Sequence, residues 1–202
     1  MKTTIIENKE RKTITVVLGG VRFYSAKYLL ERYDDKRYFG NGILKIDKNE
    51  MGDILKRISA SLNLVNPDVK VSPKLLFEGD EVDYPLFKPH LNQDGDWDGS
   101  YDISLGALSD KRERHLFFND LARTSPVTNE DIVKGHEWGV EIELSSRIDE
   151  DSLDTKIFVI LHRIVKGKKA ETKYQTNDSA WSGFDLGDEE ENILVDDLDL
   201  PL

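Results

Sequence analysis

An antiparallel, mainly β fold curling into a barrel-like sheet and carrying one helix is what this sequence predicts, on three observations. Several segments alternate apolar and polar residues with period two, one segment holds the three-and-four spacing of an amphipathic helix, and the two kinds do not follow each other in regular βαβ order. No internal repeat is visible. At 202 residues, 38% hydrophobic and 33% charged, the chain is long enough to bury one core without disulfides or metals to staple it.

The elements follow in order. ITVVLGGVRFYSAKYLL (14–30) is dense in β-branched and aromatic residues around Gly19 and Gly20, which predicts one strand sharply bent or bulged at the glycines, or two strands. After the charged turn ERYDDKR, YFGNGILKI (38–46) reads as a strand whose Gly40 and Gly42 leave one face open to close approach. Asp47 or Asn49 can then cap a helix whose apolar face is Met51, Ile54, Leu55, Ile58 and Leu62, ending before Asn66 and Pro67. Residues 66–99 are polar and turn-rich, with Pro67, Pro73, Pro85 and Pro89, and are expected to leave the core as a long loop. In YDISLGALS (101–109), Tyr101, Ile103, Leu105 and Ala107 alternate with Asp102, Ser104 and Gly106, a half-buried strand with one small-residue face. WGVEIELSSR (138–147) alternates more cleanly, with Trp138, Val140, Ile142 and Leu144 inward and Glu141 and Glu143 outward. KIFVILHRIVKGKK (156–169) is apolar on both faces until His162 and Arg163, and then turns basic.

Charge divides the chain unevenly. Residues 185–202, DLGDEEENILVDDLDLPL, hold eight carboxylates and no Lys, Arg or His, so of the net −11 only −3 belongs to residues 1–184, where 28 basic side chains meet 31 acidic ones. Such a self-repelling block has too little apolar surface to offset chain entropy and is expected to be a disordered interaction tail. The division expected is therefore 1–184 as one folded domain and 185–202 as its acidic tail. Cys is absent, which excludes disulfides and thiolate chemistry and fits a reducing compartment. The N-terminus MKTTIIENKERKT lacks the apolar stretch of a signal peptide, and no run approaches the roughly 18 residues of a membrane span, so a soluble cytoplasmic protein with no membrane partner is expected.

Motifs that would carry catalysis are poorly met. DGDWDG (94–99) matches the opening of a calcium loop, but its twelfth position, where a bidentate Glu is required, is Leu105 in a strand-like segment; an Asp/Gly-rich turn is the simpler reading. His90, His115, His136 and His162 are far apart in sequence and have no Cys to complete a zinc set. Phosphate-loop, dinucleotide and Gly-x-Ser-x-Gly patterns are missing. No cofactor, no metal and no enzymatic activity are expected. By contrast RFY (22–24) with Lys27 and Tyr28, RYDDKRYF (32–39), KRERHLFF (111–118) and HRIVKGKK (162–169) each set cations beside planar side chains, the combination that grips a phosphate backbone and stacks bases.

The order of these segments resembles the phage single-stranded DNA-binding proteins built on an OB-fold with an acidic C-terminal tail. The likeness rests on the bent strand VRFYSAKYL, the strand GILKI leading into KNEMGDILKRISASL, then DGSYDISLGALS, the link ARTSPVTNEDIVKGHEWGVEIELS and the last strand FVILHRIVKGKK. It implies an OB-fold-like barrel that binds single strands in a basic, aromatic-lined cleft. Strand contacts then fall on Arg22, Tyr24, Lys27, Tyr38, Tyr101, Lys111, Arg112, Arg163 and Lys166. It also implies a tail that recruits replication or recombination proteins and competes with DNA, through Asp196, Asp197, Asp199, Leu200 and Leu202, with a homodimer compatible. Tails of this kind typically close on an aromatic residue, whereas this one closes on DDLDLPL, keeping the order acidic, Pro, apolar. Two other classes stay open: an acidic DNA mimic or anti-defence protein, and a metal-dependent nucleic-acid enzyme using Asp94, Asp96 and Asp98.

Overall fold

The computed structural model describes residues 3–23, 29, 37–77, 85–108, 117–118, 126–128, 131–132 and 136–169; in 37–39, 107–108, 117–118 and 167–169 it describes the backbone. The chain divides into two units, Met1–Ala170 and Glu171–Leu202, and every described residue belongs to the first.

Among the described residues eight strands form one sheet. They are β1 (Thr3–Asn8), β2 (Thr13–Phe23), β3 (Arg37–Leu44), β4 (Phe87–Leu91), β5 (Trp97–Leu108), β6 (Phe117–Phe118), β7 (His136–Ile148) and β8 (Thr155–Lys169), with one long helix, α1 (Lys48–Val65), and a single 3-10 turn, Pro73–Leu76. The hydrogen-bonded order is β4-β5-β3-β2-β7-β8-β6, with β1 on β2, and every pair is antiparallel except the two-residue β6–β8 ladder.

The bend predicted at the paired glycines organises this order. Before it, β2 pairs with β1 over Thr13 to Leu18; after it, Val21 to Phe23 pair with β3 instead. The ladder to β7 slips between Leu18 and Val21, and Gly20 sits there at φ +78°, a conformation a side chain would strain. One strand thereby serves two neighbours in turn along the same edge. At the far flank Gly106 of β5 lies against β8, where a Cβ would stand 3.8 Å from the Val159 carbonyl oxygen, in ordinary contact. The path β5-β3-β2-β7-β8 is thus curled until its two ends meet without a described ladder between them, which is the partly open Greek-key barrel of the OB type.

Alternation fills the barrel as predicted. Trp138, Val140, Ile142 and Leu144 of β7 are fully buried with Ile14, Val16 and Leu18 of β2 and Ile103 of β5. Met51, Ile54, Leu55, Ile58 and Leu62 bring the apolar face of α1 onto this core. Asp47 is the residue that caps α1, its carboxylate accepting from Asn49 N at 2.8 Å and Glu50 N at 2.9 Å. At the other end the Asn66 side chain donates to the Ser146 carbonyl at 2.9 Å, tying the helix to β7.

Residues 66–99 correct the expectation of a loop without regular structure. They hold the 3-10 turn, β4 and the start of β5, and Val69, Val71, Leu76, Leu86 and Phe87 are buried in or beside the core. DGDWDG closes the β4–β5 hairpin: the Asn92 side chain accepts from Asp94 N and Asp96 N, both at 2.9 Å, and Asp98 accepts from Ser100 N at 2.8 Å. Two of the motif's three aspartates thus contribute backbone amides to the turn, and the third uses its carboxylate to fix it.

Candidate nucleic-acid interface

Because Trp138, Val140, Ile142 and Leu144 point inward, Glu137, Glu141 and Glu143 take the outer face of β7, and the register of the sheet decides what they meet. Arg22, one residue past Val21, lies beside Glu137 and donates from Nη2 to its Oε1 at 3.0 Å. Arg163 stands directly opposite Glu141 and donates to it from Nε. His162 Nε2 lies 3.4 Å from Glu143 Oε2. These groups are all partly exposed, so the outer face of β2, β7 and β8 is a row of alternating charges.

On the other side of β2, Arg22, Ile43, Asp102 and Lys88 form one cross-strand row through β3, β5 and β4. Asp102 meets Lys88 at 4.0 Å and His90 Nδ1 at 2.8 Å. The next row pairs Asn41 with Ser104, and the one after it pairs Phe39 with Gly106, so β5 presents the small-residue face that its sequence predicts. Gly40 and Gly42 serve the opposite side: their missing side chains make room for Leu29 and for Val21 and Ile103 of the core.

Of the residues expected to touch a strand, Arg22 and Arg163 lie on the outer face, each bonded to a β7 carboxylate. Lys166 is registered with Trp138, on the other side of β8 from Arg163, and donates to Asp131 at 3.2 Å. Tyr101 is a correction. It is buried at 4% exposure, with its ring 5.9 Å from Phe77 and 5.6 Å from Trp97, so it has no open face for a base. Burial, and then the charge of Asp47, raise its phenol above the ordinary tyrosine range. Tyr38 is placed by its backbone, paired with Ala107. Tyr24, Lys27, Lys111, Arg112 and the tail residues Asp196, Asp197, Asp199, Leu200 and Leu202 lie outside the described residues.

Lys88 and His90 carry no signal in the sequence as members of this face, because Pro89 marks their segment as loop; β4 is the edge of the sheet, where a proline costs no ladder bond. Trp97 also joins this surface: it is 47% exposed and its ring is pinned by Nε1 donating to the Ser100 carbonyl at 2.7 Å. Its place in an Asp/Gly-rich turn gave no sign that the ring leans on Tyr101.

The fold and this face together define an OB-type barrel that carries a row of paired charges on the outer face of β2, β7 and β8. Among solved structures the chain is similar to the single-stranded DNA-binding protein of bacteriophage Enc34. A C-terminally truncated form of it matches at 20% identity over 84% of this chain and 97% of that one, with a TM-score of 0.49. A second Enc34 structure, in complex with ssDNA, matches at 20% identity and a TM-score of 0.46 over the same shares. The bacteriophage T7 single-stranded DNA-binding protein gp2.5 matches at 13% identity over 79% of this chain and 93% of that one, with a TM-score of 0.38. No protein-family model and no curated protein matches the chain.

Proposed function

We propose that this chain is a sequence-tolerant single-stranded DNA-binding protein of phage DNA replication or recombination, working in the host-cell cytoplasm, whose acidic C-terminal segment recruits partner proteins and competes with DNA. The observation that carries the reading is the outer face of β3 and β5. These are the second and third strands of the barrel, the face on which OB-folds bind oligonucleotides. Here Asn41 and Ser104 line it beside the row Arg22, Ile43, Asp102 and Lys88, whose two cations stand at its ends. Small polar side chains let a strand approach the sheet, and the flanking cations meet its phosphates. The segment joining β2 to β3 adds Tyr24, Lys27, Tyr28, Arg32 and Tyr33 in sequence, the aromatic and basic types this chemistry uses.

The test is a fluorescence-anisotropy titration of the full chain with labelled oligo-dT over a salt series, against a duplex of equal length. Preference for the single strand, indifference to sequence and a log–log salt slope of about −0.7 per neutralised phosphate are the expected results. Equal or tighter binding to duplex would overturn the reading. One observation favours a second reading, an acidic DNA mimic: Arg22, Arg163 and Lys166 are all bonded to carboxylates, in a chain of net −11. A mimic would not bind oligo-dT, so the same titration decides between the two.

A further inference from the structure

We infer that Glu137 and Glu141 are resident stand-ins for phosphate, which hold Arg22 and Arg163 on the outer face and must be displaced by the nucleic-acid backbone. The inference rests on the single-strand-binding reading above and concerns how that binding is held down. Carboxylate and phosphate offer a guanidinium the same thing, a fork of anionic oxygens, so one can replace the other on the same arginine. Both arginines are placed for such an exchange. Arg22 and Glu137 are 29% and 41% exposed, Arg163 and Glu141 27% and 21%, so solvent, and with it a phosphate, reaches both pairs. Among the described residues Arg22 donates through Nη2 and Arg163 through Nε, each to its one glutamate.

The carboxylates hold their places through the sheet, independently of any ligand. Trp138, Val140 and Ile142 must point into the core, which leaves Glu137 and Glu141 outward in fixed register with the two arginines. A strand that takes either arginine leaves a carboxylate uncompensated beside its own phosphates. That repulsion opposes binding, and the cation the freed glutamate takes up from solution cancels part of the counterion release that drives it.

Glu137→Gln and Glu141→Gln keep the size and an acceptor oxygen while removing the charge. Each is expected to raise oligo-dT affinity by up to about fivefold at low salt, the range of an exposed ion pair. Each should also steepen the salt slope by up to about 0.7. Glu10→Gln, in the exposed turn between β1 and β2, removes the same charge away from this face and should do neither. Circular dichroism and thermal melting confirm that all three variants are folded before they are titrated, and the two glutamates test the idea independently. Unchanged affinity and slope in both glutamate variants, with the wild type binding oligo-dT, would overturn the inference and leave single-strand binding standing. An equal gain from Glu10→Gln would overturn it too, because net charge would then be the cause. Weaker binding in the glutamate variants would overturn it as well, by showing that the glutamates orient the arginines for DNA. A wild type that does not bind oligo-dT removes the function itself.

Discussion

A Cβ added at Gly42 would lie 2.4 Å from Val21 Cγ1 and 3.1 Å from Ile103 Cγ2, two fully buried branched side chains with nowhere to move. At Gly106 the same addition meets only the Val159 carbonyl oxygen at 3.8 Å. Gly42→Ala should therefore destabilise by about 1–3 kcal/mol, the usual range for overpacking a core, whereas Gly106→Ala should melt close to the wild type. Thermal unfolding of the two variants side by side checks this, and equal melting temperatures would contradict the packing described. Sequence showed that these glycines allow something to come close; it could not show that core side chains do so at Gly42 and strand β8 at Gly106. The same limit explains Tyr101. Alternation with Ile103 and Leu105 already put it on the inner side, and only the family resemblance placed it on DNA. Period two reports which side a residue faces, while cation–aromatic neighbourhood reports composition alone. The carboxylate partners of Arg22 and Arg163 were hidden for another reason: Glu137 lies 115 residues from Arg22, and no local pattern carries such a pairing.

Elements were legible in proportion to their burial. α1, β5 and β7 announced themselves because a buried face imposes a period, and β2, β3 and β8 through their runs of β-branched, aromatic and apolar residues, whereas β1, with Glu7, Asn8 and Ile6 exposed, and β4, interrupted by Pro89, show neither a period nor a run of that length. The β7–β8 connection, residues 149–154, is organised by one side chain. Asp149 accepts from Lys156 Nζ at 2.6 Å, from Ser152 N at 3.0 Å and from Asp151 N at 3.2 Å, and its backbone closes the loop with Asp154 O at 2.8 Å. The Lys156 hydrogen bond first, and then the Ser152 amide, hold the Asp149 carboxyl well below the ordinary carboxylate range. A carboxyl whose pKa is lower in the folded than in the unfolded state contributes stability that is present above the unfolded pKa, about 3.9. That contribution is lost as pH falls toward the folded value. Asp149→Asn should thus melt below the wild type at neutral pH, and the difference should shrink steadily as pH is lowered from about 4. Melting curves between pH 7 and pH 2 give the comparison; a gap that stays constant would mean that the turn is held by backbone shape and not by this charge.

At the scale of the whole molecule, charge is the property the fold leaves unresolved. Among the described residues the buried core lies within residues 14–164; a self-repelling acidic block offers little to pack, so removing residues 185–202 should leave the melting temperature unchanged. The deletion does change the net charge, from −11 to −3, by taking away eight carboxylates and no cation. If those carboxylates compete with phosphates for the barrel, oligo-dT affinity should rise on truncation. The rise should be largest near 0.01 M salt, where the Debye length is about 30 Å, and small at 0.15 M, where it is about 8 Å. The gains from Glu137→Gln and Glu141→Gln should also shrink as salt rises, through their steeper slope, but each of those glutamates acts at contact distance on one arginine. Combining truncation with Glu137→Gln should then give gains that nearly multiply, since the two competitors act at different ranges. Leu200→Ala with Leu202→Ala leaves the charge untouched and should leave oligo-dT binding as it is, while weakening capture of purified replication or recombination proteins. Truncation that lowers affinity, or leaves it unchanged at low salt, would show that the acidic segment does not compete with DNA and would confine its role to partners or to solubility.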